Sequence, residues 1–328
     1  MRYRTLPGTD IDVSEVGFGV WTLSTGWWGD RSDDEAVALL RAALDRGVTT
    51  FDTADSYGNG RGETLLAKAF AGRRDQVVYA TKFGYDFYNH DRPRGQRELP
   101  HDWSAAHIRF ACEESLRRLK TDTIDVYQLH NPRMNAIRDD ELFGTLDDLR
   151  AEGKIRAYGV ALGPAIGWRE EGVAAMRDRD VAMLQVIHNM LEQDPGRDFL
   201  PVADETGTGL FVRVPHSSGM LEGKYTPETT FPPNDHRSHR PRSWLVEGLQ
   251  KIESLRFLTD ERPHTLAQAA LKWLLAEPSV MVTLPNIYSQ EQLVEFAAAP
   301  DLPDLTPEDL GRISDLYARN FDVTPVEA

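Results

Sequence analysis

A closed barrel of eight parallel strands wrapped by helices, the (β/α)8 TIM barrel of the α/β class, is predicted for this 328-residue chain. Three observations predict it. Strand-like apolar runs alternate with helix-like runs almost throughout. The strand-like runs are apolar on both faces, which parallel pairing between covering helices demands. Eight such units of roughly 30 residues match a closed barrel. An open doubly wound sheet is the competing architecture. It needs a Gly-rich phosphate turn after its first strand, and Gly17-Phe18-Gly19-Val20-Trp21 opens no helix directly.

Residues 1–15 predict a hairpin, two alternating segments around Pro7-Gly8. Residues 16–21 (VGFGVW) predict the first buried strand. A helix follows over 33–47, with Ser32 as N-cap and Gly47 as stop. Further strands are predicted at 49–55, 76–82, 124–130, 155–161, 182–189, 209–215 and 280–286. The helices between them fall at 61–71, 104–119, 139–151, 168–178 and 198–205, with two more, 244–258 and 264–276, before the last strand. Extra C-terminal helices at 289–298 and 306–319 close the chain, and the tail 320–328 is expected to be loose. No linker, low-complexity tract or charge block divides residues 1–328, so one domain is expected. The long loops 83–103 and 216–243 would lie on the active face of the barrel, where loops of that length carry function.

Composition narrows the function classes. Hydrophobic residues make up 41%, enough for a sizeable core. The net charge of −15 argues against nonspecific binding to nucleic acid or anionic membranes, which needs cationic patches. The basic run 235–244 (DHRSHRPRSW) is expected to be a lid over the barrel. The single cysteine, Cys112, can form no intramolecular disulfide and is expected to pack inside a helix. The N-terminus has no apolar signal segment, and no run approaches the ~18 apolar residues of a membrane span. A cytoplasmic protein is expected, with its oligomeric state open.

Four polar residues stand where strand-like runs give way to loops: Asp52, Tyr57, Lys82 and His130. A carboxylate, a phenol, an ammonium and an imidazole can together pass a proton to a carbonyl oxygen. Alone, each has an ordinary structural use, as a loop cap, a packing ring or a surface cation. In a barrel, all four would converge on one mouth.

The chain resembles the aldo-keto reductase superfamily, in the branch of potassium-channel β subunits and bacterial sugar and aldehyde reductases. The resemblance runs end to end through FDTADSYGNG, SLRRLKTDTIDVYQLH, GKIRAYGV, LQVIHNMLEQ and PHSSGMLEGKY. It implies a barrel that binds an extended nicotinamide cofactor without a Rossmann fold and without a metal. It also implies that Asp52, Tyr57, Lys82 and His130 form the catalytic tetrad. Tyr57 would give its proton to the carbonyl oxygen, and His130 would hydrogen-bond that oxygen. A free phenol titrates near ~10 and is a poor acid, so Lys82 would assist it, held charged by Asp52. Trp21 and Trp27 would line the substrate pocket with Tyr57 and His130.

The resemblance places the cofactor against Val20, Trp21, Asp52 and Gln185, the run Arg213-Val214-Pro215-His216, and Ser217, Gly219, Leu221, Gly223 and Lys224. At the far end it adds Pro285, Asn286, Ile287, Gln292 and Glu295. Several positions depart from the family pattern. Ala161-Leu162 stands where relatives carry Ser-Asn for the nicotinamide carboxamide, which leaves Gln185 as the remaining anchor. Arg213 stands where an aromatic ring is common; it would face the cofactor and an anionic or polyhydroxyl substrate, or turn to the barrel wall in a salt bridge. Asn286, Ile287 and Gln292 replace the cations that grip a 2′-phosphate, and residues 273–311 contain no Lys or Arg. A dianionic phosphate would be poorly compensated there. The expected cofactor is therefore NAD(P)(H), with NAD(H) favoured. The implied activity joins a nicotinamide cofactor to a carbonyl or alcohol substrate, a sugar, polyol or small aldehyde or ketone. The alternative is a non-catalytic nicotinamide-binding subunit or redox sensor.

Overall fold

The hairpin forms as β1 (Tyr3–Thr5) and β2 (Asp12–Ser14), antiparallel, with Tyr3 opposite Ser14. The computed structural model describes residues 1–90, 98–163 and 168–324. Eight strands follow the hairpin: β3 (Phe18–Gly19), β4 (Thr50–Asp52), β5 (Val78–Phe83), β6 (Ile124–His130), β7 (Ile155–Ala161), β8 (Met183–Ile187), β9 (Gly209–Arg213) and β10 (Val280–Leu284). Each pairs in parallel with its sequence neighbour, in the order β3 to β10. A parallel bridge between Val16 and Thr283 closes the ring, with Gly17 N–H donating to Thr283 O at 2.9 Å. The result is the (β/α)8 barrel.

The first barrel strand is shorter than residues 16–21 predict. Val20 N–H still bonds Asp52 O at 2.8 Å, but Val20 O accepts the amides of Leu23 and Ser24. The chain therefore coils at once into a short helix, Trp21–Ser24. Several later helices start on polar caps that satisfy their first amides. Ser32 and Glu35 form a capping box on the helix Asp33–Leu44, and Ser104 caps Ala105–Leu119. Cys112 is fully buried in the latter, its thiol pushed up to about 12 by burial.

Alternation along the strands layers the barrel interior. Leu6, Ile11 and Val13 of the hairpin cluster with Val78, Ala80, Val126, Ala157, Met183, Phe211 and Val282. This apolar layer plugs one end of the barrel. A Cβ on Gly209 would meet Leu6 Cδ1 at 2.7 Å, so a side chain there would displace the plug's leucine. Two residues further along β5, β6 and β8 stand Lys82, Gln128 and Gln185. The inner face of these strands is thus polar in its upper layer, not apolar throughout as their composition suggests.

A larger apolar core fills the space between barrel and helices. The tail is more ordered than expected. Residues Asn320–Asp322 form a 3-10 turn, and Phe321 (2% exposed) packs with Leu258, Ile313 and Leu316. An aromatic ring so close to the last helix finds apolar surface to bury on; residues 325–328 lie outside the described set. Among the described residues, no helix is long and apolar enough to cross a membrane.

Candidate active site

At the C-terminal ends of the strands, Asp52 gathers three donors. Lys82 Nζ lies 2.6 Å from its Oδ1, and also donates to Thr53 O at 2.7 Å. Gln128 and Gln185 both donate to Oδ2, at 3.0 and 2.8 Å. Gln185 gives its other N–H to Gln128 Oε1 at 3.1 Å. Asp52 and Lys82 are 5% and 1% exposed. Burial of this kind is tolerable only because each charge is paired and hydrogen-bonded.

Tyr57 stands over this layer, half-buried, its ring centroid 5.0 Å from Lys82 Nζ. The His130 ring meets it edge-on at 5.6 Å, and Tyr85 meets His130 at 4.8 Å. Tyr85 is fixed in turn: its hydroxyl donates to Glu98 at 3.0 Å and accepts from Asn131 at 2.7 Å. All four residues of the tetrad border one cavity of about 330 Å³.

Asp55 lies behind the tetrad, fully buried, and neither of its carboxyl oxygens has a hydrogen-bond partner among the described residues. Burial first, then the neighbouring Glu63 carboxylate, pushes its carboxyl well above the usual range. Glu63 itself is satisfied by Thr81 and Arg118 at 2.7 and 2.6 Å.

Arg213 reaches the cavity from the end of β9. One N–H donates to Leu162 O at 2.7 Å, and it makes no ion pair among the described residues. Burial holds its guanidinium below its ordinary value, against the attraction of Tyr57 and Asp52. The mouth is walled by indoles. Trp21 stacks on Trp27 at 6.5 Å and meets Trp28 edge-on at 6.2 Å. The basic run 235–244 folds onto them. His236 N–H bonds Trp27 O at 3.0 Å, its ring lies 5.0 Å from Trp21, and Arg237 covers Trp28 at 4.4 Å. Asp235 neutralises Arg237 at 2.7 Å.

The segment after β9 folds into tight turns. Val214, Ser217, Ser218 and Gly219 all have positive φ, at 56, 46, 56 and 92°. Left-handed backbone is costly for a β-branched residue. Asn189 holds Val214 O at 3.1 Å, and Tyr225 holds Ser218 O at 2.7 Å. Further on, Gln292 donates to Glu222 at 3.0 Å, while Lys224 lies 3.5 Å from Glu295. Burial raises the Glu222 carboxyl.

Of the residues singled out from sequence, the cavity brings together Asp52, Tyr57, Lys82, His130, Trp21, Trp27, Gln185, Arg213, Val214 and Asn286. It does not bring in the side chains of Val20, Leu221 or Ile287, each 0% exposed in the core. His216 is also turned away: its Nε2 bonds Ala267 O at 3.1 Å and its ring packs on Phe296 at 4.6 Å. Burial lowers its imidazole to about 4. Pro215, Ser217 and Pro285 are buried, while Gly223 is exposed. Arg213 is not in the wall salt bridge that was its alternative.

The sequence reading missed Gln128 as a partner of Asp52, and Asn131 and Glu98 as cavity residues. Gln128 had a signal: it is polar within an apolar strand and shares the face of His130 two residues on. The others come from loops whose path no periodicity encodes. Residues 91–97 of the loop 83–103, expected to be functional, lie outside the described residues.

The sequence pattern of the aldo/keto reductase family matches residues 15–318. The chain is 32% identical over 293 residues to the aldo-keto reductase YhdN of Bacillus subtilis (strain 168), covering 87% of this chain and 84% of that one. Its fold is similar to a glycerol dehydrogenase from Gluconobacter oxydans, with a TM-score of 0.82, 28% identity, and 99% and 98% of the two chains covered. It is also similar to an aldo/keto reductase from Klebsiella pneumoniae solved with NADP and acetate, with a TM-score of 0.73, 28% identity, and 97% and 96% covered.

Proposed function

Because the chain belongs to the aldo/keto reductase family of oxidoreductases, we propose that it interconverts a small carbonyl compound and its alcohol, with Tyr57 passing the proton. The observation that carries this reading is the buried Asp52–Lys82 pair beneath Tyr57 and His130 on one cavity. When bound, a nicotinamide cofactor supplies or accepts the hydride.

The residues fit such a cofactor. In the turn after β9 the Ser217 and Gly219 amides are taken by Val214 O and His216 O, which leaves the His216 and Ser218 amides to meet a pyrophosphate, with Lys224 as added charge. Gln185 has committed both amide hydrogens to Asp52 and Gln128, so its Oε1 is the atom left to accept from a carboxamide. In reduction, Tyr57 donates its hydroxyl proton to the substrate oxygen while Lys82 keeps positive charge beside the phenol. In oxidation, Tyr57 takes the proton back. Asp52 fixes Lys82 by charge and position, and His130 orients the oxygen. Proton transfer of this kind is worth roughly 10²–10⁴-fold. The Trp21 and Trp27 rings suit the apolar face of a sugar, polyol or aldehyde.

The cofactor in this reading is NAD(H). Glu222 and Glu295 flank Lys224, and Gln292 is occupied by Glu222, so a 2′-phosphate would meet carboxylates. The Klebsiella pneumoniae relative was solved with NADP, so the preference is a specific test of this chain. Kd values for NADH and NADPH, followed by an aldehyde and sugar panel with the preferred cofactor, examine both statements. Tyr57→Phe is expected to lower kcat by about 10²-fold or more while cofactor still binds. Tight cofactor binding with no turnover on any substrate would favour a redox sensor instead.

A further inference from the structure

Four ionic side chains border the inner cavity and its rim, and three are already answered. Asp52 and Lys82 neutralise each other at 2.6 Å. Glu98 pairs with Arg133 at 3.2 Å and accepts from Tyr85 at 3.0 Å. Arg213 is the exception. Its guanidinium spends one donor on the Leu162 carbonyl, and no carboxylate lies within ion-pair distance among the described residues. Arginine carries five donors in a planar fork, so four remain. A half-buried cation without a counter-ion is unfavourable in the free protein unless a ligand answers it.

The surroundings state what kind of ligand that is. Ala161 and Leu162, on the same cavity, have no side-chain charge to answer that of Arg213. His236 at the mouth is kept neutral, its imidazole lowered by burial to about 4, so it adds no competing cation. The fork borders the same cavity as Tyr57 and His130.

We propose that Arg213 is a substrate-specificity residue that holds a carboxylate on the substrate, so that the preferred substrates are oxo acids in reduction and hydroxy acids or sugar acids in oxidation. The inference rests on the oxidoreductase reading above. The carboxylate is a spectator: in reduction the carbonyl carbon gains a hydride from the nicotinamide cofactor, its oxygen gains the Tyr57 proton, and no carboxylate bond changes. A guanidinium–carboxylate fork fixes the orientation of a short chain as well as its charge.

The test compares 4-oxobutanoate with its methyl ester, which matches its chain and removes its charge. In the wild-type protein kcat/KM for the acid is expected to exceed that for the ester by about 10- to 100-fold, the usual worth of a charge-assisted contact. In Arg213→Gln that ratio is expected to collapse toward one, mainly through KM for the acid; Arg213→Lys should restore part of it. A wild-type ratio of one or below overturns the proposal without needing any variant. So does a ratio that Arg213→Gln leaves unchanged, which would assign Arg213 to the cofactor. Calorimetric binding of succinate to the cofactor-loaded protein is independent of turnover. Weaker binding by at least tenfold in Arg213→Gln supports the proposal even if no aldehyde is reduced, and equal binding overturns it.

Discussion

Gln292 donates to Glu222 across 3.0 Å, joining the helix after β10 to the loop after β9. The contact puts a carboxylate, not a cation, where the two segments meet. Glu222→Gln removes that charge and keeps the amide partner. The dissociation constant for NADPH, measured by fluorescence titration, is expected to fall about tenfold relative to that for NADH, a change of ~1.4 kcal/mol. An unchanged ratio would mean that Glu222 does not face the adenosine ribose.

Lys82→Met strands Asp52 in the barrel. Breaking a buried ion pair costs about 3–5 kcal/mol. The loss should sit near the lower end, because Gln128 and Gln185 still donate to Asp52. Adding Asp52→Asn removes the stranded charge, so the double variant is expected to be more stable than Lys82→Met alone while staying inactive. Urea unfolding of the three proteins decides it; purely additive losses would contradict the coupling.

Two buried imidazoles set an acid limit. His188 and His216 are each 3% exposed and lowered by burial to about 4. The unfolded chain takes up their protons near ~6.5, whereas the folded one resists. Their contribution is therefore complete above that value and is lost as pH falls toward about 4. Each lowers stability by roughly 1.4 kcal/mol per pH unit inside the window. Urea midpoints between pH 7 and 4.5 should show this slope, and His216→Asn should make it shallower.

Asp55 works in the opposite sense. Its carboxyl is raised, so its contribution is present below the unfolded value and is lost as pH rises through the folded one. Asp55→Asn is expected to stabilise the protein at pH 7 by on the order of 1 kcal/mol, with the gain vanishing near pH 4. A variant that is less stable at both pH values would show that the carboxyl is satisfied after all.

The barrel was legible because its signals are local and periodic. The strands at 124–130 and 155–161 end where the apolar runs end. The Ser32 cap could be read because an N-cap chemistry is written in adjacent residues. The first strand was misjudged because Val20 O has two possible uses, and only tertiary placement sends it to Leu23 and Ser24. Within the site, strand-end residues could be placed by alternation. His216 could not, since a residue in a positive-φ turn points where the turn sends it and not where a strand would. Phe321 was hidden for a similar reason: nothing local to the tail shows the apolar surface on which it lands.

Leu6, Ile11 and Val13 stopper the far end of the barrel, with Gly209 close against Leu6. The cavity therefore has no passage through that end of the barrel, and its mouth lies at the opposite end, beside the indoles. Two ligands that share that mouth cannot come and go independently. Whichever lies deeper must arrive first and depart last, so the hairpin at the bottom of the barrel imposes a queue at its top.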